Sequence, residues 1–152
     1  MVRITWHASR AYCAWLTAME QATKPGVEIA YRLPQEFEWE WAAGHGEREY
    51  PWPKEKGEPS PKLANFGQNV GATTPVGQYL EGATPEGLMD MAGNVWEWME
   101  NKYDEKHSYI SLRGGSWNDN PVSLRCRSRN GVPPENRSDA FGFRVVRSQS
   151  YF

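Results

Sequence analysis

Residues 87–98 read GLMDMAGNVWEW, and the end of that stretch has a period of two. From Val95 to Met99, Trp96 and Trp98 alternate with Glu97, which predicts a strand. Gly93 permits a turn immediately before it, and Leu88-Met89-Asp90-Met91 is a further short β-like run. Asp90, Asn94 and Glu97 also gather three oxygen-bearing side chains within eight residues. Hard ligands at that spacing either hold Ca²⁺ together with backbone carbonyls or only cap turns. Downstream, Ser111 to Trp117 and Phe141 to Val146 make two more β-like runs. The segment between them, NDNPVSLRCRSRNGVPPENRSDA, is rich in turn-forming residues.

Upstream the period changes to that of a helix. Trp6, Ala8, Ala11, Tyr12, Trp15, Leu16 and Met19 follow a three-and-four spacing, with Thr5 placed to cap the first turn. A second helix is expected in QEFEWEWAAG, with Pro34 at its first position, Glu36 and Glu38 at the positive end of its dipole and Gly44 as its stop. Phe37 and Trp41, four apart, are expected to form its buried face. Between Gly46 and Gly87 no helical period survives. Prolines 51, 53, 59, 61, 75 and 85 interrupt the chain there, while Trp52, Leu63, Phe66, Val70, Val76, Tyr79 and Leu80 argue for irregular backbone packed over a core rather than a linker.

The chain has 152 residues, 39% of them apolar, which suits one packed domain and excludes general disorder. Seventeen basic and nineteen acidic residues give a formal charge of −2, so no whole-chain footprint for nucleic acid exists. No apolar run approaches the roughly 18 residues that span a bilayer, so direct membrane insertion is not expected. The N-terminus lacks the order of a secretion signal. A cytoplasmic location follows by default, with surface display through a partner as the alternative. No internal repeat is present.

Catalytic patterns are sparse. Gly114-Gly115 are followed by Trp117, Asn118 and Pro121 rather than by the lysine and helix of a phosphate-binding loop. Ser116 lacks a nucleophile-elbow motif, and His7, His45 and His107 are scattered. Cys13 and Cys126 belong to no metal-binding pair and read as buried small hydrophobes, with a single disulfide as the alternative. Trp15, Trp41, Trp96 and Trp98 are expected in the core, and Trp52 and Trp117 at the surface. Arg125, Arg127, Arg129, Arg137, Arg144 and Arg147 make either an anion site or, the favoured reading, a set of arginines bonding loop carbonyls.

In order, WHASRAYCAWL, RLPQEFEWEWAA, ANFGQ, PVGQY, GLMDMAGNVWEW, LRGGSW and GFRVV resemble the formylglycine-generating-enzyme (sulfatase-modifying factor) family over nearly the whole chain. The resemblance implies an α+β, C-type-lectin-like fold with two helices, a small twisted antiparallel sheet and much irregular loop, forming a single domain over 1–152. It implies that the chain lacks an N-terminal portion of the family enzymes. Those enzymes bind copper through a cysteine pair just after the GGS motif. Here Asn118, Asp119, Asn120 and Leu124 stand in that neighbourhood and Cys126 sits late and alone, so neither copper nor the oxidase activity is expected. The family's calcium pattern carries over onto Asp90 and Glu97 by side chain and Gly93 and Val95 by carbonyl. A second family calcium site near ANFGQ lacks a convincing downstream acid.

The segment from Leu112 to Val146 further resembles the variable proteins of diversity-generating retroelements, in which surface codons are rewritten on this scaffold. That likeness implies a variable ligand-binding region over about 113–146. Its candidate sites are Trp117, Asn118, Asp119, Asn120, Val122, Ser123, Ser128, Asn130, Gly131, Val132, Ser138, Asp139 and Ala140. Trp117 also belongs with Pro121, Leu124, Arg125, Arg129, Pro134, Arg137, Gly142 and Phe143 as scaffold. The expected function is non-catalytic binding of a protein or cell-surface ligand. The alternatives are a formylglycine-generating-type oxidoreductase or a degenerate member acting as a structural interaction domain.

Overall fold

Helix α1 spans Trp6–Gln21 in the computed structural model, which describes residues 1–151. Its first turn is capped as the sequence predicts, with the Thr5 hydroxyl accepting from the Ala8 N–H at 3.2 Å. Polar side chains of α1 fasten strand β1 (Val27–Arg32). Thr17 Oγ1 accepts from Tyr31 N–H at 2.8 Å, and the Gln21 amide both donates to Val27 O and accepts from Ile29 N–H. β1 was not among the expected strands, although Val27, Ile29 and Tyr31 alternate with Glu28, Ala30 and Arg32 in a period-two signal. It forms because β6 (Val146–Tyr151) pairs with it antiparallel along its whole length, from Val27↔Tyr151 to Arg32↔Val146. Glu20 joins the three elements, accepting from Nε and Nη2 of Arg147 at 2.9 Å and from the Tyr31 hydroxyl at 2.7 Å. Those bonds, Arg147 foremost, hold its carboxyl far below the usual range.

Helix α2 spans Glu36–Gly44 and opens with a capping box between Gln35 and Glu38. The sequence offers two stripes on this short helix, Phe37/Trp41 and Trp39/Ala43, and the structure buries the second. Trp39 is 1% exposed, while Phe37 and Trp41 are 73% and 61% exposed. The indole N–H decides between them, because Trp39 Nε1 donates to Glu97 inside the core at 2.6 Å. Trp15 is likewise 53% exposed, whereas Trp52, expected outside, is 2% exposed beneath the proline-rich loop and donates to Gly57 O.

The main sheet has the order β4-β3-β2-β5, with β2 at Trp96–Lys102, β3 at Ile110–Arg113, β4 at Arg129–Val132 and β5 at Phe141–Gly142. It is mixed rather than wholly antiparallel. β5 lies parallel to β2, because the chain reaches it by the 133–140 crossover and not by a hairpin. The run expected to continue to Trp117 stops at Arg113, since Gly114 and Gly115 take φ of +98° and +73°. Leu88–Met91 stays irregular, and the Phe141–Val146 run divides between β5 and β6. Three buried clusters fill the interior. One centres on Trp96, Trp98, Leu112, Cys13 and Leu33, a second on Trp39, Met91, Met99 and Cys126, and a third on loop residues Tyr50, Trp52, Leu63 and Ala64 with Leu124. The irregular loop therefore does pack, although Val70, Val76 and Leu80 remain exposed.

Candidate functional site

Three of the sequence motifs meet at the turn after β3. Trp117 N–H donates to Asn94 O at 3.0 Å, Gln68 N–H to Trp117 O at 2.8 Å, and Gly67 N–H to Asp119 O at 2.8 Å. The turn between Gly93 and Trp96 and the ANFGQ loop thus brace the start of the 117–128 segment from both sides. Asp119 closes the turn from within: one carboxylate oxygen accepts the Ser116 N–H at 3.0 Å, the Ser116 hydroxyl, and the Trp96 indole N–H at 2.8 Å. Ser116 is fully buried in this arrangement with no histidine against it, so it is a structural hydroxyl. Asn120 then caps the 3₁₀ turn Pro121–Leu124, its side chain accepting from Val122 N–H at 3.0 Å.

The structure separates the thirteen candidate binding positions. Asn118, Asn120, Val122, Asn130 and Asp139 are exposed, and Trp117, Ser123, Ser128 and Ser138 are half-buried. Four positions are built into the framework instead, a correction to their reading as freely replaceable surface. Ala140 is 6% exposed and its carbonyl accepts from Trp96 N–H. Val132 packs against the main core, and Asp119 holds the turn as described. A Cβ on Gly131 would lie 2.4 Å from Tyr103 Cγ, a clash that no rotamer relieves.

Most arginines of this region bind carboxylates or loop carbonyls; among the described residues Arg137 makes neither bond and lines a surface pocket with Arg3 and Asp139. Arg113, 4% exposed, gives Nε to Glu36 at 2.7 Å, Nη2 to Glu40 at 2.6 Å and Nη1 to Cys126 O at 2.9 Å. Arg129 on β4 grips the same Glu36 through two nitrogens at 2.7 Å and lies over the Tyr103 ring at 4.4 Å. Ser111 and Asn101 complete the shell around this carboxylate. Burial pushes the Glu36 carboxyl upward, but the Arg129 bonds and the Arg113 charge outweigh it and hold it below its ordinary value. Arg127 Nη2 donates to Gly46 O, Arg125 pairs with Glu49 at the surface, and Arg147 is held by Glu20. The sequence alone marks Glu36 only as a favourable charge in a first turn. Its role as the anchor of β3 and β4 had no local sequence signal, because its partners lie 65 to 93 residues away.

Asp90, Gly93, Val95 and Glu97 line one open cavity of about 550 Å³ with Asn94 and Arg144. Asp90 and Asn94 both take the left-handed conformation that aims this loop, at φ +54° and +65°. Glu97 accepts from Trp39 Nε1, from Arg144 Nε at 2.6 Å and from Arg144 Nη2 at 2.8 Å. Arg144 reaches on to the carbonyls of Met89 and Asp90. The donor set of two carboxylates and two carbonyls suits Ca²⁺ by type, although Arg144 occupies both Glu97 oxygens and Gly77 N–H takes one Asp90 oxygen at 2.6 Å, so an ion there would compete with the guanidinium. The thiols do not fit copper. Cys13 and Cys126 are both free and buried in different core clusters, and burial pushes the Cys126 thiol up to about 12, away from the thiolate a soft metal requires. No helix among the described residues is long and apolar enough to cross a membrane.

Two helices, a short mixed sheet and a long packed loop carrying an irregular C-terminal face define a C-type-lectin-like domain. Residues 1–149 match the sulfatase-modifying factor enzyme 1-like domain, and the chain belongs to that family. It is 34% identical to the hercynine oxygenase of Mycobacterium tuberculosis over 94% of this chain and 35% of that protein. It is 32% identical to the inactive C-alpha-formylglycine-generating enzyme 2 of Bos taurus over 96% of this chain and 49% of that protein. The chain thus spans half or less of the length of these relatives. Among solved structures, Treponema denticola variable protein 1 superposes with a TM-score of 0.78 at 23% identity, covering 95% of this chain and 69% of that one.

Proposed function

We propose that the chain is a non-catalytic ligand-binding domain whose C-terminal face, between Trp117 and Asp139, is diversified by a retroelement to bind varied protein or cell-surface ligands. One observation carries this reading: Asn118, Asn120, Val122 and Asn130 are exposed and make side-chain bonds only within two residues of themselves, while the long-range fastening of the backbone runs through Glu36, Arg113, Arg129, Asp119 and the Gly114-Gly115 turn. A face built this way accepts new side chains without losing its support. The fold shared with a variable protein supports the same reading. The occupants of the family's thiol neighbourhood and the buried, strongly protonated Cys126 argue against oxidase chemistry in this chain. In this reading a calcium ion at Asp90, Gly93, Val95 and Glu97 steadies the loop before β2 and takes no part in chemistry.

The test is the DNA downstream of the gene. A near-copy of the codons for residues 113–146, differing only where the copy has adenines and lying beside a reverse transcriptase gene, establishes diversification and marks the variable positions. If no such copy exists, the retroelement reading fails and a fixed interaction domain takes its place.

A further inference from the structure

The exposed side of α2 carries a row of rings that the fold does not use. Phe37, Trp41 and His45 stand at successive spacings of four. Phe37 is 73% and Trp41 61% exposed, and the His45 ring stacks on Trp41 at 5.0 Å with 16° between planes. His45 is itself the left-handed cap of the helix, at φ 51°, and lies 3.3 Å from Glu86, so the Trp41 ring is backed by a fixed neighbour. The opposite stripe of the same helix is buried, which makes the exposed row a second apolar face and not a frayed end.

This row adjoins the C-terminal face. Phe37 and Glu40 line one cavity of about 460 Å³ together with Arg127 and Arg129, and Arg127 also borders the neighbouring cavity beside Arg125. Arg113 and Arg129 in that cavity are neutralised by Glu36 and Glu40. Among the described residues Arg127 makes no carboxylate pair and spends only Nη2, on Gly46 O. One uncommitted guanidinium therefore shares a cavity with the exposed Phe37 ring, and Trp41 follows Phe37 one turn further along the same helix face; arginine and aromatic side chains are the residue types that dominate the energetics of protein interfaces.

We infer that Phe37, Trp41 and Arg127 form a fixed anchor at the edge of the ligand-binding face, taking a protein ligand that presents a carboxylate next to an apolar side chain. The identification rests on the binding role proposed above and adds the partner's chemistry to it. Area favours a ligand over a second copy of the chain. Two aromatic side chains at this exposure offer roughly 300 Å², against about 800 Å² per partner in a stable interface. The row therefore serves as one part of a larger contact, joined to the C-terminal segment through Arg127 and Arg129. A carboxylate meets Arg127 without displacing an existing ion pair, whereas an ammonium group meets repulsion there.

A library of random twelve-residue peptides, panned against the whole chain, provides the probe. The expected pool is enriched in Asp or Glu beside Leu, Phe or Trp, and its members lose at least tenfold in affinity on Trp41→Ala and on Arg127→Gln. Trp15→Ala, which removes an equally exposed tryptophan from α1, leaves them unchanged. Melting curves of the two anchor variants should match the parent, since both side chains are largely outside the fold. Peptides that depend on Asn118, Asn120 and Val122 but ignore Trp41 and Arg127 would overturn the anchor while leaving the ligand-binding reading intact. Peptides that depend on the anchor alone would uphold it and count against that reading. Selection of basic peptides, or self-association of the parent chain abolished by Trp41→Ala, overturns the assignment.

Discussion

Replacing Glu36 with glutamine tests whether one buried carboxylate holds the binding face to the rest of the domain. The wild-type carboxylate takes Arg113 Nε and two Arg129 nitrogens at 2.7 Å, with Ser111 Oγ at 3.0 Å and Asn101 Nδ2 at 3.3 Å. Glu36→Gln preserves shape and one acceptor oxygen but leaves Arg113, only 5% exposed at its side chain, short of a counter-charge. Removing one partner of a buried pair costs about 3–5 kcal/mol. The share belonging to Arg129 is smaller, because that side chain is 42% exposed and keeps its hydration. Glu40 also remains as a second acid on Arg113. The expected loss is therefore about 3 kcal/mol, near the low end. At about 2–4 °C per kcal/mol for a chain of this size, the melting temperature falls by about 6–12 °C at pH 7. Circular dichroism melts read this directly, and amide exchange along Arg129–Val132 should accelerate because β4 loses its anchor. Glu40→Gln is the control, since Glu40 is partly exposed and bonds a single nitrogen. A drop below about 3 °C for Glu36→Gln, or one no larger than for Glu40→Gln, refutes the anchoring argument.

The same carboxyl sets an acid limb. Its pKa is depressed in the fold, so its contribution is complete above the ordinary value of 4.5 and is lost as pH falls through the depressed value; melting temperature should decline below about pH 4.5, less steeply in Glu36→Gln. Simultaneous replacement of Asn118, Asn120, Val122 and Asn130 by serine should lower the melting temperature by less than about 8 °C, since exposed changes cost under about 0.5 kcal/mol each and about 2–4 °C accompanies each kcal/mol, and it should abolish ligand binding. Gly131→Ala should by contrast destabilise by about 1–3 kcal/mol through the Tyr103 clash, measured by urea unfolding, and parental stability would return Gly131 to the replaceable set. Calcium at the Asp90 and Glu97 position should raise the melting temperature in the parent and not in Asp90→Ala, and identical curves with EDTA and with calcium would remove the ion from the account.

The long helix and its Thr5 cap were legible because period and cap chemistry lie within a few residues of each other. The strand at Trp96–Lys102 was legible for the same reason, and the order of motifs placed the whole chain in its family. The four framework positions inside the candidate face were not legible. Gly131 reads as a turn residue until Tyr103 is seen against it, and Ala140 reads as a small surface residue until its carbonyl is found bonded to Trp96.

The sequence by itself determined which segments are helical, that the proline-rich stretch packs, and that no thiol pair stands after the GGS motif. Only the tertiary structure decided which stripe of α2 faces inward, that β5 runs parallel to β2, and that Glu36 is the common anchor of β3 and β4. The physical reason is range. Periodicity and capping are set by neighbours within a turn or two, whereas burial of a stripe and pairing of a buried charge depend on partners up to 93 residues away. Trp39 outcompeted Trp41 for the core because Glu97 waited there for its indole N–H, and no pattern within RLPQEFEWEWAA records that.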